Sequence, residues 1–179
     1  MPFTPLHCSV AYLIRQFKPK LSLPALLVST MTPDLEIPFI YVATSGQYSR
    51  LILHSFLGAI TLATSLSMIL VAFVYSPVVS YLFKIDFKTV KDKCRISWSV
   101  VAICLMGNLS HVLIDSTHHE YNPLFYPFTY SSYDAFVFMN DWALASVIIP
   151  IGLLSLLVLF VAKEFKKGDK NIWERLLVE

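Results

Sequence analysis

The chain has 179 residues, of which 56% are hydrophobic and 15% charged, and its formal net charge is +2. A soluble domain of this size cannot bury so much apolar surface, so the composition indicates an integral membrane protein. The small positive charge is explained by basic residues placed at the membrane surface, and we expect no nucleic-acid partner.

Two short apolar segments come first, at residues 3–14 and 21–31. A helix rises about 1.5 Å per residue and a bilayer core is about 30 Å thick, so neither segment can cross alone. Three longer runs without Asp, Glu, Lys or Arg follow, at residues 51–83, 96–114 and 142–162. We therefore predict an all-α integral membrane helical bundle in one domain, 1–179, with three long transmembrane helices after a pair of short helices. Pro77 is predicted to kink or end the first long helix.

Lys and Arg concentrate in three clusters. The clusters are Arg15, Lys18 and Lys20; Lys84, Lys88, Lys91, Lys93 and Arg95; and Lys163, Lys166, Lys167, Lys170 and Arg175. By the positive-inside rule they face the cytoplasm, and the connection 115–141 faces the opposite side, with Arg50 as the exception. This pattern predicts a multi-pass protein of the cell membrane whose C-terminal tail, 163–179, is a solvated interfacial helix on the cytoplasmic side.

The same topology brings every histidine to the extracytoplasmic side. The ionisable residues predicted there are His7, Asp34, Glu36, His54, His111, Asp115, His118, His119, Asp134 and Asp141. His111, Asp115 and His118 stand at i, i+4 and i+7, which places them on one face of a helix. Ionisable groups near a bilayer are costly unless paired or ligated, so their convergence predicts a functional site.

Imidazole and carboxylate groups together suit Zn²⁺, and also Mn²⁺ or Fe²⁺. Taken singly, some of these residues have structural explanations. Asp34 follows a proline and could be a turn or helix-capping residue, and Asp141 precedes a helix whose dipole favours a carboxylate.

Five ordered segments resemble the prokaryotic membrane-bound metal-dependent hydrolase family. They are MPFTPLH at 1–7, LLVSTMTPDLE at 26–36, LHSFLG at 53–58, GNLSHVLIDSTH at 107–118 and LFYPF at 124–128. The HxxxDxxH pattern of His111, Asp115 and His118 is also similar to the helical signature of zinc-dependent phospholipase C and related single-strand nucleases. In those enzymes a further histidine commonly follows after four residues, whereas this chain has Asn122.

The resemblance implies a ligand set and a reaction class. The implied metal ligands are His7, Asp34, His54, His111 and Asp115, with His118 as the next candidate, for one or two ions of zinc, with manganese or iron as alternatives. Glu36 and His118 are the implied catalytic candidates, Glu36 as a general base or as the partner of a ligand. The reaction would be metal-dependent hydrolysis, with phosphoester bonds of membrane lipids or lipid-linked substrates as the expected targets because of where the site lies.

Two other functions stay open. The chain could be a non-catalytic membrane protein, including a small subunit of a larger membrane complex, in which a structural metal or polar cluster joins the helix ends. Transport is the third alternative, but it requires polar residues through the depth of the bilayer. The long apolar runs contain none of the four charged residue types, which disfavours transport.

Overall fold

The computed structural model describes residues 4–168 and 171–179. Phe3, where the first predicted helix begins, and Lys170 of the tail lie outside the described residues. The described residues form helices and no strand. The helices are α1 (Cys8–Phe17), α2 (Leu23–Ser29), α3 (Ile37–Ala43), α4 (Phe56–Phe83), α5 (Phe87–Lys93), α6 (Trp98–Asp115), α7 (Trp142–Lys166) and α8 (Ile172–Leu177), with 3-10 turns at Thr4–His7, Thr32–Glu36 and Phe138–Asn140.

Helices α4, α6 and α7 are long and apolar enough to cross a membrane. The predicted all-α membrane bundle with three long helices is therefore confirmed, but three short helices precede α4 where two were predicted. The short helices differ from the prediction in detail, because α1 begins after a 3-10 turn and extends to Phe17, and α3 was not predicted. If α2 and the bent segment Thr32–Ala43 form one span, with a 41° bend between them, the bundle has a fourth candidate span.

Helix α4 continues past Pro77 to Phe83, so the proline does not end it. Two π-helical turns, Ala59–Ala63 and Leu70–Tyr75, interrupt its α geometry. The second π turn places Pro77 in the first turn of the following α-helical segment. A missing backbone N–H is tolerated at that position, which explains why the helix persists.

Helix α2 packs directly against α6 at Gly107. A Cβ added to Gly107 would collide with the Ser29 side chain, because it would lie 2.8 Å from the Ser29 Cβ atom. Only glycine permits this close approach of the two helices. The approach brings the C-terminal end of α2 beside the turn of α6 that carries His111.

Three buried polar side chains tie the 3-10 turn Thr32–Glu36 to the long helices. Ser67 of α4 donates a hydrogen bond to the Thr32 hydroxyl at 2.9 Å. Asn108 of α6 donates to the Ser67 hydroxyl at 3.0 Å and to the Cys104 carbonyl at 2.8 Å. Hydrogen bonds in an apolar interior are costly to leave unmade, so they fix the position of this turn.

Members of all three basic clusters meet at one end of the bundle. Arg15, Lys93, Lys163 and Lys167 line one cleft of about 490 Å³ there. This grouping agrees with a topology in which the three clusters share one side of the membrane. Which side that is stays a prediction.

The C-terminal helix α8 packs back onto this end of the bundle. The Tyr12 and Tyr75 hydroxyls donate hydrogen bonds to the Leu176 and Leu177 carbonyls, both at 2.7 Å. Leu176 and Val178 are buried. The prediction of a helical tail is correct, but the prediction that it is solvated is wrong, since its apolar residues complete the core.

Candidate metal centre

Four ionisable side chains meet at the other end of the bundle. Asp34 comes from the 3-10 turn after α2, His54 from the segment before α4, and His111 and Asp115 from the last turns of α6. All four are buried, and one candidate ligand atom from each lies within 4.8 Å of the other three. The i, i+4 spacing on α6 supplies half of this group, and tertiary packing supplies the other half.

Five of the six distances between the ligand atoms are those of a tetrahedral metal site. The Nε2 atoms of His54 and His111 are 3.3 Å apart. Each Nε2 atom lies 3.4 Å from Asp34 Oδ1 and 3.4 Å from Asp115 Oδ2. Zinc binds nitrogen and oxygen ligands at about 2.0–2.2 Å, and a tetrahedron with such bonds has edges of about 3.3–3.6 Å. The residues therefore fit a tetrahedral divalent ion.

Both histidine rings are held by a hydrogen-bond acceptor at Nδ1, the nitrogen that lies away from the group. His54 Nδ1 lies 2.8 Å from Glu36 Oε1, and His111 Nδ1 lies 2.8 Å from the Thr30 carbonyl oxygen. A carbonyl only accepts, so Nδ1 of His111 donates its proton, and Nε2 is the nitrogen that a neutral His111 ring would offer to a metal ion. Metal-binding histidines are commonly held in this way.

Glu36 is saturated with hydrogen bonds. Its carboxylate accepts the backbone N–H groups of Leu51, Leu53 and His54 at 2.9, 2.7 and 3.3 Å, besides contacting the His54 ring. Of the two roles expected for Glu36, these contacts fit the partner of a ligand. The sequence contains no local signal for these contacts, because they depend on how residues 51–54 fold around the carboxylate.

The two aspartates lack hydrogen bonds of their own. Among the described residues, no oxygen of Asp34 or Asp115 accepts a hydrogen bond of good geometry, although Asp34 is 6% exposed and Asp115 only 3%. Arg50 supplies one positive charge beside Asp115, at 3.3 Å, and the other carboxylate, Asp34, has no Lys or Arg partner among the described residues. Buried carboxylates with unsatisfied oxygens are costly unless a cation compensates them. This shortage is the second reason that the group fits a metal ion.

His7 adjoins the group but is not one of the four. Its Nε2 atom lies 3.2 Å from Asp115 Oδ1, the carboxylate oxygen that faces away from the tetrahedron. Its ring stacks on His111 with centroids 4.0 Å apart. The structure thus brings His7 beside the predicted site, and its role as a ligand stays a prediction.

His118 and His119 follow the end of α6, in the turn after Asp115. His118 is fully buried, and its Nδ1 atom donates to the Ile114 carbonyl at 2.9 Å. Burial, together with the neighbouring His119, lowers the pKa of His118 to about 4, so its imidazole is neutral near pH 7. Burial also lowers the pKa of His119. Both residues lie outside the four-residue group.

Arg50 is a residue that the sequence analysis did not include in the site. Its Nε atom lies 3.3 Å from Asp115 Oδ2, and its side chain is 12% exposed. The only available signal was its position as the exception to the positive-inside pattern. The contact with Asp115 explains that exception.

A polar cleft of about 490 Å³ adjoins the site. Its walls include Arg50, His118, His119 and Tyr121, together with Trp142, Ser146 and Pro150 of α7. The cleft therefore connects the Asp115 side of the cluster with a candidate membrane-crossing helix.

Two further acidic residues accept hydrogen bonds in the loop between α6 and α7 and do not belong to the candidate site. Asp141 Oδ1 accepts the Leu144 N–H at 3.0 Å, which confirms the predicted position at the start of a helix. Asp134 accepts hydrogen bonds from Ser132 and Asn122. Asn122, where the phospholipase pattern has a histidine, thus organises the loop.

Comparison with known proteins gives one family match, which covers almost the whole chain. A family model described as YdjM inner membrane protein matches residues 6–178. No curated protein and no solved structure gives a significant match. The family match agrees with the membrane part of the sequence resemblance and with a multi-pass location in a prokaryotic cell membrane.

Proposed function

We propose that this chain, which belongs to the YdjM inner membrane protein family, is a membrane-embedded metal-dependent hydrolase of phosphoester bonds. The proposal depends on one observation: a buried ligand set with tetrahedral spacing adjoins, through Asp115, a polar cleft that contains Arg50. A metal site enclosed in protein on one side and bordered by a cleft on the other is suited to act on a bound molecule.

Two imidazole nitrogens and two carboxylate oxygens form a donor set that suits Zn²⁺, and Mn²⁺ or Fe²⁺ also accept it. A bound divalent ion would supply Lewis acidity, which polarises a phosphoryl oxygen and makes water more acidic. The ligands would be Asp34, His54, His111 and Asp115.

The surrounding residues have separate roles in orienting the ligands and in binding the substrate. Glu36 and the Thr30 carbonyl hold the two ligand rings in place. The Arg50 guanidinium can bind a phosphoryl oxyanion with charge-assisted hydrogen bonds. His118, one of the two predicted catalytic residues, lines the cleft beside Asp115, where it can act on a substrate held there.

The cleft wall suggests the substrate class. Trp142, Ser146 and Pro150 belong to α7, a helix that is apolar enough to cross the membrane. A head group at the bilayer surface can therefore reach the cleft along this helix. We propose a lipid phosphoester or a lipid-linked phosphate as substrate, on the extracytoplasmic side, because the basic clusters occupy the other end of the bundle.

A second candidate function is a structural metal site in a non-catalytic protein or complex subunit. It is favoured by the four-ligand set itself, since four protein ligands fill a tetrahedral zinc ion and leave no position for substrate. In that case the ion would join α6 to the segments that carry Asp34 and His54.

Activity measurements on purified protein in detergent separate the two candidates. Release of phosphate or head group would be followed from phospholipids, lipid-linked phosphates and a soluble chromogenic phosphoester. The hydrolase proposal expects activity that is lost on chelation, restored by Zn²⁺ and absent in His111→Ala. Ser155→Ala is the matched control, because Ser155 lies on α7 away from the cleft and its hydroxyl bonds to its own helix at Ile151. A bound ion that raises thermal stability without hydrolysis of any of these substrates would favour the structural candidate.

A further inference from the structure

We infer that Asp115, His118 and His119 form a second divalent-cation site, open to the cleft and joined to the four-residue site through Asp115. The ion site is argued from geometry alone, and the inference rests on the proposed function only for its chemical purpose. It also gives His118 a specific role, that of a ligand.

The three side chains are close enough to share an ion. One candidate ligand atom from each lies within 4.8 Å of the other two. His119 Nε2 is 3.6 Å from Asp115 Oδ2, and the two histidine rings have centroids 4.2 Å apart. Asp115 is the shared member, because it also belongs to the four-residue group.

The buried histidine nitrogens point to a missing ligand. His118 is fully buried, yet its Nε2 atom has no hydrogen-bond partner in the described part of the chain. Its Nδ1 atom is held by the Ile114 carbonyl at 2.9 Å, as Nδ1 of His111 is held by the Thr30 carbonyl. Nε2 of His119 is likewise buried without a hydrogen bond from the described residues. Unsatisfied buried polar atoms are rare, and two of them beside one carboxylate match a cation site.

The two sites differ in how many coordination positions of the metal ion the protein fills. The four-residue site is closed, as in structural zinc sites, whereas three protein ligands leave a position for water or substrate, as in catalytic zinc sites. His118 and His119 also line the cleft, and Asp34, His54 and His111 do not. The open site therefore has a free position for a substrate, whereas an ion in the four-residue site could bind a substrate only by taking a fifth ligand.

Arg50 sets the expected order of binding. Its Nε atom lies 3.3 Å from Asp115 Oδ2, so its positive charge opposes a cation at the second site. A bound oxyanion would offset that repulsion. The second ion should therefore bind more weakly than the first, and inorganic phosphate should strengthen its binding.

Titration of metal-free wild-type protein with Co²⁺ tests the inference. Bound Co²⁺ would be counted by equilibrium dialysis and its coordination followed by visible absorption. We expect two ions per chain, the second bound at least tenfold more weakly than the first and more tightly when phosphate is present. His118→Ala and His119→Ala should each retain one ion, and Ser146→Ala should retain two. One ion per chain in wild type, or two ions in both histidine variants, would overturn the inference.

The stoichiometry is read without substrate, so the inference and the proposed function can fail separately. Two ions without hydrolysis would preserve the inference and reject the hydrolase. Hydrolysis by protein that binds a single ion would support the hydrolase proposal and reject the second site. If His118→Ala fails to fold, the less buried His119 and the wild-type titration still decide the result.

Discussion

The Nε2 atoms of His54 and His111 face each other at 3.3 Å in the centre of the candidate metal site. Nδ1 of His111 donates to the Thr30 carbonyl, and Nδ1 of His54 contacts Glu36. Two imidazole nitrogens this close in a buried site repel each other if both carry lone pairs, and either a shared proton or a cation between them removes that repulsion. The adjoining oxygens of Asp34 and Asp115 make a divalent ion the natural occupant.

Replacing Glu36 should weaken the binding of the metal. In Glu36→Gln the amide NH₂ group would face either the Leu53 N–H or the Leu51 and His54 N–H groups, and His54 loses its charged partner in both cases. Loss of such a partner typically costs about 10- to 100-fold in metal affinity. Competition with a chromophoric chelator measures this affinity. Asp92→Asn is the control, since Asp92 is exposed and pairs only with Arg95 in the described residues; equal affinity for Glu36→Gln and wild type would reject the role assigned to Glu36.

Gly107→Ala should destabilise the bundle and reduce metal occupancy together. The added methyl group would collide with Ser29 and push α2 away from α6, which displaces the Thr30 carbonyl from His111. Overpacking of this kind costs about 1–3 kcal/mol.

Gly152→Ala is a matched control for this change, because no atom beyond its chain neighbours and its own helix backbone lies within 4 Å of an added Cβ there. Chemical unfolding in detergent and metal analysis would be run on both variants. If the two variants have equal stability and metal content, the close approach at Gly107 does not position the site.

Arg50→Gln should weaken phosphate binding in the cleft. Hydrogen bonds to charged groups are worth about 1.5–3 kcal/mol, which corresponds to about 10- to 100-fold in affinity. The expected result is a weaker inhibition by inorganic phosphate and a raised KM for phosphoesters, with a smaller effect for Arg50→Lys. Arg95→Gln, at an exposed position in the basic half of the molecule, serves as the control. An unchanged inhibition constant in Arg50→Gln would remove Arg50 from the substrate site.

The long helices could be predicted because the membrane imposes a local requirement. About 20 apolar residues without charge are needed to cross, and each such run is visible in the sequence. Short helices such as α3 and α5 carry no such signal. Helix α5 instead depends on its cap, where the Asp86 side chain accepts the Thr89 N–H at 2.8 Å.

The candidate site was predictable only in part, because only some of its residues form a pattern along the sequence. The spacing of His111 and Asp115 is visible along one helix, and the charge pattern grouped Asp34 and His54 with them. The contact of Glu36 with Leu51 joins residues 15 positions apart, and that of Arg50 with Asp115 joins residues 65 positions apart. Both depend on the folded backbone, so no local pattern could reveal them.

X-ray absorption at the metal edge, on wild-type protein purified without chelator and loaded with Zn²⁺, determines whether Asp34, His54, His111 and Asp115 hold an ion. We expect stoichiometric zinc with nitrogen and oxygen ligands at about 2.0–2.2 Å. We also expect that His54→Ala lowers the zinc content, while Asp92→Asn leaves it unchanged. Folded wild-type protein that holds no stoichiometric metal after loading would contradict the proposed metal site, and the buried His and Asp side chains would then form a polar cluster without an ion.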